Sequence, residues 1–320
     1  MRKLVLMLAV PALLAACGPK PPPPDTTPPR VVTAFPPDGY HGFKYGEAIA
    51  LEFSEAMDAA SVEQAFALLD GNQTLPVSFS WSADHRTATV SPQAPLVYSP
   101  NGNYRYYRYR LETGARDEAG NGLEQPLEVT FSTMRLHRVT LPAQPDLDGM
   151  IFSGNTHLTY ATGGEVWLGD RDTNLCAHDF FSFDLGGLPD GLDQLASARV
   201  FVYNYGAVGS PFADLGDVWI DHLDYGEALE PADFELAALP DYQGVSGSLD
   251  ATGSWSPGWF AFAGLSAWLQ QDLEAGRPRF QVRLRFAGCS DGDGQHDYLH
   301  LAPGEDAARA PYLEVDAYAP

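Results

Sequence analysis

The sequence has little positive charge. Its 320 residues include 19 lysines and arginines against 42 aspartates and glutamates, which gives a formal net charge of −23 at pH 7. Nucleic acids and anionic lipid surfaces attract basic patches, so this balance argues against either as a partner. The acidic excess favours solubility and also supplies oxygen ligands for a cation such as calcium.

Catalytic signatures are scarce as well. The sequence has no His-Glu-x-x-His, no Gly-x-Ser-x-Gly, no phosphate-binding glycine loop and no Cys-x-x-Cys, and its 8 histidines are scattered. We therefore predict a protein without catalytic activity. The many carboxylates leave one alternative open, an enzyme that acts on polysaccharide, because sequence spacing does not measure the separation of two carboxylates in space.

Long apolar runs are missing except at the start of the chain. Leu4–Ala16 is an apolar run of thirteen residues, interrupted only by Pro11 and preceded by Arg2 and Lys3. A transmembrane helix needs about 20 apolar residues, so this run has instead the length of the apolar part of a secretory signal peptide. We predict that residues 1–17 form such a signal.

The predicted signal ends in Leu-Ala-Ala-Cys at Leu14–Cys17. This segment resembles the bacterial lipobox, in which the cysteine is acylated and becomes the first residue of the mature protein. The resemblance implies that Cys17 anchors the chain to a membrane through its acyl chains. Gly18 stands where an aspartate tends to retain enterobacterial lipoproteins on the inner membrane, so we expect an outer-membrane or cell-surface location. The alternative is an ordinary signal peptide that contains a cysteine.

A proline-rich linker follows the predicted anchor. Residues 18–29 include seven prolines among twelve residues. Such a segment favours the extended polyproline II conformation and could reach roughly 35–40 Å. We predict a semi-rigid stalk, with a polyproline ligand for a partner as the alternative.

Cysteine is rare, with two residues besides Cys17. Cys176 precedes a predicted strand at Phe180–Leu185, and Cys289 follows another at Phe280–Phe286. An exported chain matures under oxidising conditions, so we predict a Cys176–Cys289 disulfide that links the early and late halves of its domain. The alternative is two separate buried thiols.

Residues 30–134 are typical of short strands separated by turns. Apolar and polar residues alternate in Ile49–Phe53, Val77–Trp81 and Leu127–Phe131, with glycine, proline, asparagine and aspartate between the strands. This pattern predicts a β-sandwich.

Two motifs in this segment make the prediction more specific. Phe-Ser-Glu-Ala-Met-Asp at Phe53–Asp58 and Asp-Glu-Ala-Gly-Asn at Asp117–Asn121 resemble signatures of SbsA-type bacterial Ig-like domains. The resemblance implies a spacer or structural module of a surface protein, with Phe53 and Met57 in the core and Gly120 in a turn.

The run Tyr104–Leu111 combines tyrosines and arginines in a way that could bind nucleic acid by stacking. In a strand, however, alternate side chains face opposite sides. We therefore expect Tyr107 and Tyr109 to pack inward and Tyr106 and Arg108 to face outward, without a nucleic-acid ligand.

Residues 135–320 have a different β pattern. It includes strands at Phe180–Leu185 and Phe280–Phe286, a short helix near Leu265–Glu274 and a final strand at Pro311–Val315. This order resembles the DNRLRE-type jelly roll, which is related to carbohydrate-binding modules. The expected fold class is thus all-β, an Ig-like sandwich followed by a jelly-roll sandwich.

Two acidic, glycine-containing segments are candidate calcium ligands. Asp291, Asp293 and Asp297 alternate with glycines in one of them, and Asp170 and Asp172 lie in the other. Glycines allow a tight turn to direct several oxygens at one cation, so we predict a structural Ca²⁺ site if the segments meet. The alternative is a solvated polar turn.

Exposed aromatic residues are the usual platform for sugar rings. Trp255 and Trp259 lie in a loop-like stretch, and Tyr203 and Tyr205 end a predicted strand. Packing in the core or at its rim is the alternative role. We predict a membrane-anchored, non-catalytic lipoprotein that displays a glycan-binding module on an Ig-like spacer. The alternatives are a polysaccharide-acting enzyme and a structural envelope protein that binds another protein.

Overall fold

Strands make up most of the chain. The computed structural model describes residues 23–154, 156–158, 166–240, 248–251 and 256–320, with side chains for all of these except 156–158 and 248–251. Nearly all of its regular structure is β and the sheets pack as sandwiches, which confirms the predicted fold class. Within the described residues, no helix has the length and apolarity needed to cross a membrane.

The N-terminal sandwich, residues 23–133, has two sheets. Its strands are β1 Val31–Phe35, β2 His41–Phe43, β3 Ile49–Phe53, β4 Phe66–Asp70, β5 Gln73–Leu75, β6 Val77–Trp81, β7 Thr87–Pro92, β8 Tyr106–Leu111 and β9 Leu127–Thr133, and helix α1 is Ala59–Ala65. One sheet has the order β1-β3-β7-β6 and the other β2-β9-β8-β4-β5. The observed bounds of β3 and β6 are the predicted ones.

The first sequence motif has a structural role in this sandwich. Phe53 and Met57 are buried in its core, as predicted. Asp58 precedes α1, and its carboxylate accepts a hydrogen bond from the Ala60 N–H at 3.1 Å. That bond satisfies one of the free amides at the start of the helix.

The second motif forms a turn around a buried carboxylate. Asp117 accepts hydrogen bonds from the backbone N–H of Asn121 at 2.7 Å and from its side-chain amide at 2.8 Å. Gly120 has a φ of +94°, a conformation that suits glycine. Burial alone would raise the pKa of Asp117, but the hydrogen bonds from Asn121 hold it below its usual value. The turn therefore explains why aspartate, glycine and asparagine occupy positions 117, 120 and 121 of the motif.

Strand β8 confirms the predicted orientation of the Tyr/Arg run. Tyr107 and Tyr109 are buried in the core, whereas Tyr106 is exposed. The outward-facing Arg108 pairs with Glu128 of β9 at 3.3 Å. The packing of Tyr107 and Tyr109 in the core and the ion pair of Arg108 thus explain the Tyr/Arg run without a nucleic-acid ligand.

The C-terminal region, residues 135–320, forms a second sandwich. Its strands are β10 Arg135–Pro142, β11 Gly149–Phe152, β12 Thr156–Leu158, β13 Val166–Asp170, β14 Cys176–Asp184, β15 Gln194–Val208, β16 Val218–Leu223, β17 Ser248–Ala251, β18 Gly258–Phe262, β19 Arg279–Phe286, β20 Asp297–Leu301 and β21 Tyr312–Ala319. Helices α2 and α3 span Pro211–Asp214 and Ser266–Ala275, and single 3₁₀ turns lie at Leu185–Gly187 and Pro231–Glu235.

The long strand β15 connects the two layers of this sandwich. Its first part pairs with β21 and its middle with β18, while its last residues pair with β20. From β20 the ladder continues through β13, β14, β19, β16 and β17. The register shifts between Asn204 and Gly206, where the strand passes from one layer to the other.

The inner faces of both layers enclose one apolar core. Val200 and Val202 of β15 pack with residues such as Phe181 and Leu284 from the opposite layer. Helix α3 confirms the predicted helix, and its buried Trp268 covers part of this core. The last strand of the N-terminal sandwich ends at Thr133, and the first strand of the C-terminal region begins at Arg135. The domain limits 30–134 and 135–320 stay a prediction.

Candidate functional site

The outward face of the layer β21-β15-β18 carries a cluster of aromatic rings. Because side chains alternate along a strand, the burial of Val200 and Val202 places their neighbours on the other face. On this outward face lie the residues that we call the aromatic platform, namely Phe201, Tyr203, Tyr205, Trp259 and Tyr312. Trp259 is 42% exposed, whereas the other four rings are half-buried.

The rings of the platform contact one another across the three strands. Phe201 and Tyr312 are direct cross-strand partners, and their rings stack with centroids 4.7 Å apart. Tyr203 and Trp259 are likewise partners, with centroids 5.4 Å apart and an edge-to-face geometry. Trp259 also lies 5.2 Å from Tyr312. These contacts fix the direction of the rings, so the face of the platform is preorganised.

Charged side chains border the platform at one end. The Arg309 guanidinium lies 4.6 Å from the ring centroid of Tyr203 and 5.1 Å from that of Tyr205. The Tyr205 hydroxyl donates to Asp306, and this bond holds the pKa of Asp306 below its usual value. Burial, followed by the same hydrogen bond, raises the pKa of Tyr205. The donor and acceptor groups at this end are thus held in place by the rings.

A second set of charges borders the other end. Arg199 pairs with Glu314, and its guanidinium lies 5.7 Å from the ring centroid of Phe201. Beyond it, Arg138 forms two hydrogen bonds with Asp316, at 2.8 and 2.9 Å. The platform is therefore an apolar surface with hydrogen-bonding groups at both ends.

The two acidic segments named in the sequence analysis do meet. Gly294 donates to the side-chain oxygen of Asn174 at 2.8 Å, and the Asp172 N–H donates to His296 Nδ1 at 3.3 Å. The Cys176–Cys289 disulfide lies beside them with a Cα–Cα distance of 5.2 Å, which confirms the predicted pairing. The bond joins β14 to the segment that follows β19.

The carboxylates that come together differ in part from the predicted set. One oxygen from each of Asp214, Asp291 and Asp297 lies within 4.8 Å of the others. Asp172 and Asp293 are outside this group, and Asp170 lies opposite Asp297 in the ladder of β13 and β20. Asp214 was missed because it stands on α2, far in sequence from both predicted segments.

Crowding of like charges affects Asp214, the carboxylate at the end of α2. Burial and then the negative charges of Asp297 and Asp291 raise the pKa of Asp214. Asp297 is 4% exposed and accepts a hydrogen bond from the Ser210 N–H at 2.5 Å. The carboxylates are thus close together without a cationic side chain among their described partners.

A buried histidine–aspartate pair in the core has the chemistry of a hydrolase dyad but no access to solvent. His222 Nε2 and Asp272 Oδ2 are 2.9 Å apart, and both side chains are 0% exposed. Trp268 stacks on the imidazole at a centroid distance of 5.4 Å. We interpret the pair as a structural link between β16 and α3.

A sequence profile of the bacterial Ig-like domain matches residues 25–133. This segment is a bacterial Ig-like domain. The match confirms the prediction made from the motifs at Phe53–Asp58 and Asp117–Asn121.

The same domain contains another carboxylate group, Asp25, Glu55 and Asp117. Burial and then the charges of Asp25 and Asp117 raise the pKa of Glu55.

Comparison with other proteins adds only distant likenesses. A search of the curated proteins found no match. PcoC, a methionine-rich copper resistance protein from Escherichia coli, is 18% identical over 33% of this chain and 99% of its own, with a TM-score of 0.25. Domains 1–6 of the surface layer protein SbsC are 11% identical over 92% of this chain and 54% of theirs, with a TM-score of 0.26. SGBP-B from a complex xyloglucan utilization locus in Bacteroides uniformis is 10% identical over 91% of this chain and 73% of its own, with a TM-score of 0.22. These TM-scores are too low to support a functional conclusion.

The Ig-like domain contacts the C-terminal region through Tyr98. The hydroxyl of this buried tyrosine donates to Asp193 at 2.6 Å and accepts from the Tyr45 N–H at 2.9 Å. Its ring stacks on Tyr45 at 3.8 Å and lies 5.3 Å from Tyr318. Lys44 approaches Asp193 at 3.6 Å. These contacts set the orientation of the Ig-like domain against the end of β21.

Three predicted residues need separate mention. Cys17 and Trp255 lie outside the described residues. Trp259 was predicted in a loop-like stretch, but it lies on strand β18, where pairing with β15 makes it the most exposed ring of the platform. Sequence reasoning missed Phe201 and Tyr312, although the alternation of Val200–Tyr205 already places its aromatic residues on one face.

Proposed function

We propose that the C-terminal region is a jelly-roll-type binding module that recognises a polysaccharide or envelope glycan on the aromatic platform. The supporting observation is the 42% exposed ring of Trp259, held at the centre of a cluster whose other rings are half-buried. Large apolar side chains clustered at a surface mark a ligand or partner site more often than chance exposure does. The protein itself would act without catalysis.

The chemistry of the platform suits a sugar chain. One face of a pyranose ring is lined by C–H groups and can pack on an aromatic ring, while its hydroxyls require hydrogen-bond donors and acceptors. Arg309 with Asp306 at one end and Arg199 with Glu314 at the other offer both kinds of group. The open sheet face also leaves room for a chain of several sugars, which an enclosed pocket would not.

The first prediction concerns Trp259. We expect W259A to bind the best glycan from a polysaccharide panel at least about fivefold more weakly than the unmodified chain. The reason is that a stacked aromatic ring contributes on the order of 1–3 kcal/mol in comparable stacking interactions. Affinity electrophoresis identifies the glycan, and isothermal titration calorimetry then measures the affinity.

The matched control is Y106A, because Tyr106 is 52% exposed and lies on β8 of the Ig-like domain, away from the platform. Y106A should bind as the unmodified chain does. Equal affinity of W259A and the unmodified chain would contradict the proposal, as would the absence of binding across the panel. Release of reducing ends during incubation would favour the alternative of a polysaccharide-acting enzyme.

We also propose that the chain is exported and tethered to a membrane through acylated Cys17, with residues 18–29 as a stalk and the Ig-like domain as a spacer. The support for this proposal is the lipobox-like segment Leu14–Cys17 and the proline-rich run after it. An outer-membrane or cell-surface location follows from Gly18. This arrangement would hold the aromatic platform away from the bilayer.

The second prediction tests the anchor. Mass spectrometry of the N-terminal peptide from membranes should show Cys17 as the first residue with a diacyl or triacyl mass. We expect C17S to move from the detergent phase to the aqueous phase in a detergent partition, because single-chain or absent acylation does not hold a protein stably. C289S, which changes a cysteine elsewhere, should stay with the detergent. A C17S protein that remained membrane-bound would refute the anchor.

A further inference from the structure

We propose that the C-terminal sandwich binds one calcium ion where α2 meets the segment Ser290–His296, through the carboxylates of Asp214, Asp291 and Asp297 with the buried Asp170 beside them. This site is independent of the glycan proposal. Its three principal ligands come from three different elements, namely the end of α2, the loop after β19 and the first residue of β20.

The first argument is the separation of the carboxylates. One oxygen from each of Asp214, Asp291 and Asp297 lies within 4.8 Å of the other two. Like charges at this distance repel one another, and the repulsion increases as the groups leave water. Asp297 is almost fully buried, so solvent screens its charge poorly. A divalent cation between these oxygens would turn the repulsion into attraction.

The second argument is independent of that group. Asp170 is 0% exposed, and its Oδ2 has no hydrogen-bond partner among the described residues. It stands directly opposite Asp297 in the ladder of β13 and β20. Directly paired residues present their side chains on the same face, with Cβ atoms about 4.5–5.5 Å apart. Asp170 Oδ1 accepts a hydrogen bond from the Arg171 N–H at 2.8 Å, but a buried carboxylate oxygen without a partner is costly, and a cation beside Asp297 would supply the partner that Oδ2 lacks.

The backbone around Asp297 fits a preorganised ligand. The Ser210 N–H donates to Asp297 Oδ1 at 2.5 Å. Gly209 has a φ of +71°, and a Cβ at this position would collide with the carbonyl of His296 and with Asp297 Oδ1. Only glycine therefore allows the chain before α2 to approach so closely. The direction of the Asp297 carboxylate is set by this contact.

The donor set favours calcium over other divalent metals. All of the side-chain donors are carboxylate oxygens, which hard cations prefer. Calcium accepts six to eight oxygens at about 2.3–2.6 Å with flexible geometry, whereas magnesium requires a strict octahedron and keeps several waters. Three carboxylates on separate segments, one of them a loop with Gly292 and Gly294 in positive-φ conformations, suit the more flexible requirement.

The test uses the full chain after treatment with a chelator. Titration with calcium chloride should give binding that D291N and D214N each weaken at least about tenfold. Calcium at about 100 times its dissociation constant should raise the melting temperature of the unmodified chain by about 5–10 °C through ligand linkage. In the metal-free state, D291N should melt no lower than the unmodified chain, since it removes a repelling charge.

Two control variants locate the site. D293N changes an exposed aspartate of the same loop whose carboxylate is outside the group, and it keeps the side-chain oxygen that accepts from the Gln295 N–H. E55Q changes the carboxylate group of the Ig-like domain. Both should bind calcium as the unmodified chain does. No heat and no thermal shift at millimolar calcium would overturn the proposal, and so would a loss in D293N or E55Q equal to that in D291N.

Discussion

Removal of the Cys176–Cys289 disulfide is expected to lower the free energy of unfolding of the C-terminal sandwich by up to about 4–5 kcal/mol. The bond joins residues separated by 113 positions, so it restricts a long loop in the unfolded chain. Cys176 is buried beside Phe180 and Tyr225, whereas Cys289 is exposed. C289A therefore removes the crosslink with little loss of packing, and urea unfolding of C289A against the unmodified chain measures the effect.

The double variant C176A/C289A is the control for this interpretation. If the crosslink causes the loss, the double variant should unfold only slightly below C289A, because the bond is already absent in the single variant. Non-reducing peptide mapping of the unmodified protein should recover the Cys176–Cys289 peptide. A C289A protein with an unchanged urea midpoint, or two free thiols in exported protein, would contradict the prediction.

The sequence was most informative where a structure depends on neighbouring residues. Alternation gave the bounds of Ile49–Phe53, and the motif at Phe53–Asp58 gave the burial of Phe53 and Met57. The Asp117–Asn121 turn is likewise closed by hydrogen bonds within five residues. Interactions of this range are contained in a short window, so they can be read from the pattern.

It was less informative where a partner distant in sequence determines the outcome. The sequence predicted the end of a strand at Tyr203 and Tyr205, yet β15 continues to Val208 because β20 pairs with its last residues. The platform depends in the same way on Tyr312, which reaches Phe201 through the ladder of β15 and β21. No local pattern in the sequence indicates either contact.

The carboxylate group illustrates both cases. The Ser290–Asp297 segment was recognisable because its glycines and aspartates alternate. Whether Asp291 or Asp293 points toward a common centre, however, depends on the turn that the chain adopts. Asp214 joins the group only because α2 packs beside β20. The composition of the sequence thus identified the Ser290–Asp297 segment, whereas tertiary packing determines which carboxylates lie close together.

The remaining prediction concerns Asp148, a buried acid near the start of β11. It is 4% exposed, and its Oδ2 occupies the space where a Cβ at residue 304 would lie, which only Gly304 leaves free. Burial, together with the negative charge of Glu305, raises the pKa of Asp148 to about 8. We therefore expect this side chain to be protonated in the folded protein at neutral pH.

This raised pKa determines the direction of the pH effect. In the unfolded chain an aspartate releases its proton near pH 4, whereas in the folded protein Asp148 keeps its proton up to about pH 8. The unfolded state therefore binds fewer protons between these values, and the free energy of unfolding falls as pH rises through the window. Below pH 4 both states are protonated and the stabilising effect is complete. Above pH 8 the loss is complete.

D148N should remove this dependence, because an amide resembles the protonated acid in shape and has no proton to release. At pH 8 we expect D148N to be more stable than the unmodified chain by a few kcal/mol, since each unit of pKa difference corresponds to about 1.4 kcal/mol. At pH 4 the two proteins should unfold at similar urea concentrations. D190N, which changes an exposed aspartate that is not among the charges raising the pKa of Asp148, should keep the pH profile of the unmodified chain. If urea midpoints of D148N and the unmodified chain ran parallel from pH 4 to pH 8, Asp148 would be ionised in the folded protein and the assignment would be wrong.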